Sequence, residues 1–223
     1  PILIPNKTYI IAEIGVNHNG DLKTAKALVD VAKRAGADAV KFQTFNASKL
    51  VSKTARKAAY QLENDPVQES QYEMLKKLEL SESDLLDIAK YTHEAGLEFL
   101  STPFDRASAE LLDRLDVSAF KVSSGDLTAL SFLEFLAGFG RPMIISTGMA
   151  TLAETADAVD AIKAAGDPPL AILHCVSQYP AAASDANLRA IDTMATAFNV
   201  PVGWSDHTIG LEIAVAAVAR GAR

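Results

Sequence analysis

The run Ile10-Ile11-Ala12-Glu13-Ile14-Gly15-Val16-Asn17-His18-Asn19-Gly20 is apolar at first, carries one acid near its end, and then breaks into a glycine-containing polar loop. Such β-branched apolar runs read as buried strands. A buried strand does not accept a carboxylate without a reason, so Glu13 is placed at the strand's C-terminal end, just before a loop. A helical pattern opens at Asp21, a suitable N-cap, and stops at Gly36. The unit reads as strand 8–14 followed by helix 21–35.

The same layout recurs along the chain. Strands are expected at 38–43, 98–101, 119–122, 143–145, 170–175 and 201–204. Helices are expected at 81–95, 106–115, 129–138, 151–165, 185–198 and 210–220. Ser81-Glu82-Ser83-Asp84 has the look of a capping box. Polar residues close each strand: Gln43, Thr102, Ser123-Ser124-Gly125-Asp126, Ser146-Thr147-Gly148, His174-Cys175 and Ser205-Asp206-His207. Strands alternating with helices argue a parallel sheet. Chemistry spread over every strand end suits a ring better than an open sheet, whose site would gather at one switch point. The expected fold is an α/β (β/α)8 TIM barrel, with seven of the eight βα units present in residues 1–223. The eighth strand is expected beyond Arg223, as if the chain were a piece of a larger barrel.

Residues 44–80 form a long excursion. It carries Lys49, Lys53, Arg56 and Lys57, an acidic turn at Glu63-Asn64-Asp65-Pro66, and a short helix near 68–78. Connections of this length are either binding loops and lids or solvated insertions; both readings stand.

The chain has 223 residues, 49% hydrophobic and 22% charged, with a net charge of −7. That excess of acid argues against nonspecific nucleic-acid binding. It leaves room for a small anion held by a local cluster of donors. No apolar run reaches the ~18 residues of a membrane span, and no signal-peptide pattern opens the chain. With Cys175 the only cysteine, no internal disulfide can form, and a cytoplasmic location is expected.

Lys41 and Lys121 each lie within an apolar strand, and alternation turns both away from Phe42 and Phe120. Lysine is rarely buried unpaired. Two such ammonium groups suit a bound anion, or each could pair with a structural acid such as Glu13. Hydroxyls at Thr102, Ser124, Ser146 and Ser205 could donate to phosphate oxygens. Neither a P-loop nor a Gly-x-Gly-x-x-Gly pattern occurs, which disfavours nucleoside triphosphates and dinucleotides. His207 is the best candidate metal ligand, although a lone histidine is more often structural. His174 is either a ligand, a support behind one, or simply packed. His93 falls near a helix C-terminus and reads as surface. His18 could position Glu13 or a substrate. Covalent hydrolase chemistry is not needed to explain these positions.

The runs IIAEIGVNHNGDL, AGADAVKFQTF, LSTPFD, FKVSSGDL, IISTGMATL, ILHCVSQYPA and VGWSDHTIG, in this order and spacing, resemble the N-acetylneuraminate (sialic acid) synthase family, which includes legionaminic and related nonulosonic acid synthases. The resemblance implies a barrel enzyme that condenses phosphoenolpyruvate with N-acetylmannosamine or a related N-acylated sugar, using Mn2+ or Mg2+. It assigns Lys41, Thr102, Lys121, Ser124, Ser146 and Ser205 to phosphoenolpyruvate, with Ser177 where some members have Asn. It assigns Glu13, Gln43 and Tyr179 to the sugar and His207 to the metal, and it marks Glu13, Lys41 and Lys121 as catalytic. A second metal-binding histidine on an eighth strand, a C-terminal antifreeze-like domain and a homodimer are implied for the full-length protein. The alternatives are a related synthase using a phosphorylated sugar, or a noncatalytic barrel that binds an anion or sugar. A phosphorylated sugar would call for a further basic cluster, for which residues 49–57 are the candidates.

Overall fold

The computed structural model describes residues 7–58, 61, 62, 67 and 69–223. The acidic turn expected at 63–66 and the first residue of the helix expected near 68–78 lie outside the described residues. Seven strands alternate with helices, and the fold class is α/β of the (β/α)8 barrel type, with seven βα units in this chain. The described residues divide into two compact units, one within Ile10–Val117 and the other Ser118–Arg223 together with residues 7–9.

In the first unit, β1 (Ile11–Gly15), β2 (Ala39–Thr44) and β3 (Glu98–Pro103) pair in parallel in chain order. Strand β1 starts three residues later than the sequence suggests. Pairing with β2 begins at Ile11–Ala39; just before it the Ile10 N–H goes to the Asp38 carboxylate at 2.9 Å and the Ile10 carbonyl accepts from the Asp38 and Ala39 N–H groups. Helix α1 (Leu22–Arg34) is capped by Asp21, whose carboxylate accepts from the Thr24 N–H at 2.7 Å. Gly36 follows it with φ +82°, the left-handed conformation that ends a helix cheaply with glycine.

The excursion contains α2 (Ala47–Leu50) and α3 (Gln71–Leu78), the latter opened by a Ser70–Glu73 capping box. Helix α4 (Glu82–Glu94) carries the expected Ser81–Asp84 box, and α5 (Arg106–Arg114) is capped by Asp105. The core of this unit is built on Phe42 and Phe99, both fully buried with ring centroids 5.7 Å apart. Lys26 joins Asp87 at 2.7 Å, and the Tyr91 hydroxyl donates to Asp30 at 2.9 Å, tying α1 to α4.

In the second unit, β4 (Phe120–Val122), β5 (Met143–Ser146), β6 (Leu170–Cys175) and β7 (Val202–Ser205) are parallel, again in chain order. Their helices are α6 (Leu130–Ala137), α7 (Leu152–Ala165), α8 (Arg189–Phe198) and α9 (Glu212–Ala219). Helix α7 begins with a Thr151–Glu154 capping box. Helix α8 starts later than the expected residue 185. A 3-10 turn at Ala183–Asp185 and a left-handed Asn187, φ +41°, intervene before the helical bonds can begin. Phe120 and Phe139 stack 5.5 Å apart over a core that includes Ile145 and Leu133. No helix among the described residues is long and apolar enough to cross a membrane.

Candidate active site

In the first unit, register alone places Glu13 opposite Lys41, and Gln43 opposite Thr102. The Lys41 ammonium meets the Glu13 carboxylate at 2.5 Å and donates to Thr102 Oγ1 at 3.3 Å. Pairing with Glu13, one of the two roles open to Lys41 from sequence, is therefore realised. The pair is not sealed: the Glu13 side chain is 47% exposed while that of Lys41 is 13% exposed. A half-open carboxylate on a strand end, fixed by an ammonium behind it, can still reorient toward a hydroxylated ligand. Gly15 lets this happen. Its φ is +56°, the β1–β2 ladder slips register there, and a Cβ would stand 2.9 Å from Glu13 Oε1 and 3.7 Å from Gln43 Nε2. Glu13, Lys41, Gln43 and Thr102 thus converge at the ends of three adjacent strands.

In the second unit, Lys121 is buried, 5% exposed, and donates to Ser146 Oγ at 2.7 Å and to the Val122 carbonyl at 2.6 Å. The Gly148 N–H donates to Ser124 Oγ at 2.9 Å. A Cβ on Gly148 would collide with Ser177 Oγ and stand 2.9 Å from Ser124 Oγ. Ser124 and Ser177 therefore crowd onto the Gly148 backbone. Asp126, not singled out from sequence, lies beside this group. Burial pushes its carboxyl above the usual carboxylate range, against the pull of a 2.6 Å bond from Ser123 and the charge of Lys121.

At the ends of β6 and β7, Cys175 pairs in register with Ser205, and its thiol lies 3.8 Å from His207 Nδ1. His207 Nδ1 also lies 2.7 Å from the Val176 carbonyl, which can only accept, so Nδ1 carries the hydrogen and Nε2 keeps the lone pair. The Tyr179 ring lies tilted against the same ring, centroids 4.2 Å apart. The bond to the Cys175 thiol raises the His207 pKa; burial opposes this and the Val176 carbonyl adds to it. For Cys175 burial pushes upward, but the partners His207, Ser124 and Ser205 together bring the thiol below its ordinary value. The Cys175–His207 contact was not anticipated from sequence; the shared strand-end register of the two segments was its only signal.

An imidazole with Nδ1–H tied to a backbone carbonyl and Nε2 open is the form that ligates a divalent cation. His207 therefore fits as one metal ligand. Among the described residues no group of three or more His, Cys, Asp or Glu is placed to hold a metal, so His207 would have to share the ion with groups outside this set. His174 is packed: its Nε2 lies 2.8 Å from the Ala186 carbonyl and its ring 5.1 Å from that of Trp204. His93 is exposed in the last turn of α4, as expected.

In the excursion, Lys49 pairs with Asp105 at 3.3 Å. Lys57, its side chain fully buried, pairs with Glu69 at 3.3 Å and donates to the Val67 carbonyl at 3.1 Å. Two of the four basic residues in that stretch are thus committed to acidic partners, and the Lys57 contacts pin the segment down. The reading of the excursion as a solvated insertion fails at Lys57.

In each unit, then, a strand lysine is held at the strand ends by an acid or a hydroxyl, on the parallel strands of a (β/α)8-barrel protein. Comparison with known proteins agrees. The chain matches the NeuB family over residues 28–223 and belongs to that family. It is 49% identical over 218 residues to the N,N'-diacetyllegionaminic acid synthase of Legionella pneumophila, covering 96% of this chain and 61% of that protein. It is 39% identical to the human N-acetylneuraminate-9-phosphate synthase, covering 96% of this chain and 60% of the relative. Among solved structures, the sialic acid synthetase of Leptospira borgpetersenii superposes with a TM-score of 0.85 at 33% identity, over 99% of this chain and 75% of that one. The chain thus spans about 60% of the length of these curated relatives.

Proposed function

We propose that the protein is a nonulosonic acid synthase that condenses phosphoenolpyruvate with N-acetylmannosamine or a related N-acylated sugar and releases phosphate. The observation that carries this reading is Lys121: a buried ammonium bonded to Ser146 in a unit where Ser124, Ser177 and the Gly148 N–H also cluster. Such a set of fixed donors stabilises a phosphate or carboxylate without reorganisation. The relatives named above support the reaction class.

In the proposed reaction, C3 of phosphoenolpyruvate attacks the aldehyde carbon of the open-chain sugar and forms the new C–C bond. Positive charge develops at C2, water adds there, and the C–O bond to phosphate breaks. Lys121, Ser124, Ser146, Ser177 and Ser205 hold the anion; by resemblance Lys41 and Thr102 join them. Holding the reactants in attack geometry is the main lever. Glu13, kept in place by Lys41, orients a sugar hydroxyl or carries a proton, and Gln43 and Tyr179 contact the sugar. A divalent ion, Mn2+ or Mg2+, held in part by Nε2 of His207, would supply Lewis-acid polarisation of the aldehyde. A cytoplasmic homodimer is the proposed working form.

The test is product analysis. The full-length protein, given phosphoenolpyruvate and N-acetylmannosamine with Mn2+, should yield one new nine-carbon acid for each phosphate released. Product from a 6-phosphorylated sugar in preference to the free one would overturn the assignment of the sugar.

A further inference from the structure

We propose that His18 is a positioning residue, one that clamps the turn between β1 and α1 on which the Glu13 carboxylate rests. The proposal builds on the reading that Glu13 faces the sugar.

His18 is wholly buried, its ring 6.0 Å from that of Phe42. Its Nδ1 accepts the Gly20 N–H at 3.0 Å. Accepting requires a lone pair, so the ring hydrogen sits on Nε2. Nε2 is buried with no partner in ordinary hydrogen-bond geometry. The imidazole thus holds the Gly20 end of the turn through Nδ1 and lies against Phe42, the register partner of Gly15, at the other end.

Each end has a further contact that makes its position matter. At Gly15, φ +56°, the Glu13 carboxylate lies where a Cβ would be, with Oε1 2.9 Å from that point. At Gly20, φ +74°, the space a Cβ would need is filled by the Lys77 carbonyl at the end of α3. A set of contacts thus runs from α3 through Gly20 and His18 to Phe42, whose register partner Gly15 carries the Glu13 carboxylate against it. A histidine kept only to fill space would need its ring against Phe42, not its Nδ1 acceptor. The acceptor matters if the shape of the turn, and hence the aim of Glu13, matters.

The test uses the full-length protein, phosphate release, and separate titrations of N-acetylmannosamine and phosphoenolpyruvate with Mn2+ present. In His18→Asn, Oδ1 stands where Nδ1 was and keeps the bond from Gly20. His18→Phe keeps the ring volume and loses the acceptor; His18→Gln moves the polar group beyond its reach. Phe and Gln should raise the sugar KM about tenfold with the phosphoenolpyruvate KM within about twofold, while Asn stays within about threefold of the parent for both. Glu13→Gln, run alongside, should also raise the sugar KM. Equal behaviour of Asn, Gln and Phe would overturn the proposal, as would a loss shared by both substrates and tracking a lower melting temperature. If Glu13→Gln leaves the sugar KM unchanged, the role of Glu13 falls first and the proposal with it. Should the Phe variant not fold, the Asn and Gln pair decides alone.

Discussion

The Lys121 ammonium, buried in the second unit, donates to Ser146 Oγ at 2.7 Å, and this bond joins the ends of two neighbouring strands. A charge-assisted bond of this kind is stronger than a neutral one and fixes both partners. Lys121→Met should lower kcat/KM for phosphoenolpyruvate by roughly 100-fold or more, since a truncated cation cannot be replaced by hydroxyls. Ser146→Ala should cost less, about tenfold. Steady-state kinetics on the two variants check the order; a larger loss in the serine variant would contradict it.

Gly148 is held between two hydroxyls. Gly148→Ala would press its methyl into Ser177 Oγ and crowd Ser124. The expected result is a rise of about tenfold in the KM for phosphoenolpyruvate with little change in the sugar KM. Adding Ser177→Gly removes the worse clash and should restore part of the loss, leaving the Ser124 contact. A double variant no better than the single one would place the damage elsewhere.

Lys57 binds Glu69 from a fully buried position, and Glu69 also engages Lys77. Removing one partner of a buried ion pair leaves the other without its counter-charge. Glu69 retains Lys77, so Lys57→Ala should lower the melting temperature by a few degrees rather than unfold the protein. Proteolysis should then cut first within residues 50–70. Denaturant unfolding and limited proteolysis together check this.

Burial holds the pKa of His18 below its ordinary value, with the Gly15 backbone pulling the other way. The folded state then takes up the proton less readily than the unfolded chain. The stability this contributes is present above the ordinary histidine pKa, about 6.5, and is lost as pH falls through that value toward the lower folded pKa. The melting temperature should drop between pH 7.5 and 5, and His18→Asn should shrink that drop by a few degrees. An unchanged pH dependence in the variant would assign the acid sensitivity to other groups. Asp126, whose carboxyl burial raises, has the opposite sign. Its contribution is present below the ordinary aspartate pKa and lost as pH rises through the folded one, which separates it from His18 in the same titration.

Much of this was legible in the chain itself. Lys41 and Lys121 stood out because an ammonium inside an apolar run needs a partner, and both have partners at strand ends. The capping box at Ser81 is local chemistry, and local chemistry is readable from adjacent residues. What was missed depends on residues far apart in the chain. Strand β1 begins where its pairing with β2 begins, at Ile11 and Ala39, residues 28 apart in the chain. The burial of Lys57 is created by the fold of the excursion. Asp126 stood only among the strand-end polar residues, and the contact of Cys175 with His207 spans 32 positions. The steric role of Gly148 appears only once Ser124 and Ser177 arrive beside it.

Phosphate release by the full-length protein is the most direct measurement of the central claim. With phosphoenolpyruvate, N-acetylmannosamine and Mn2+ present, release should require the sugar, stop on chelation, and fall sharply in Lys121→Met. Release that is independent of sugar, or no release with any N-acylated hexosamine supplied, would contradict the synthase assignment and leave a barrel that binds its ligand without turning it over.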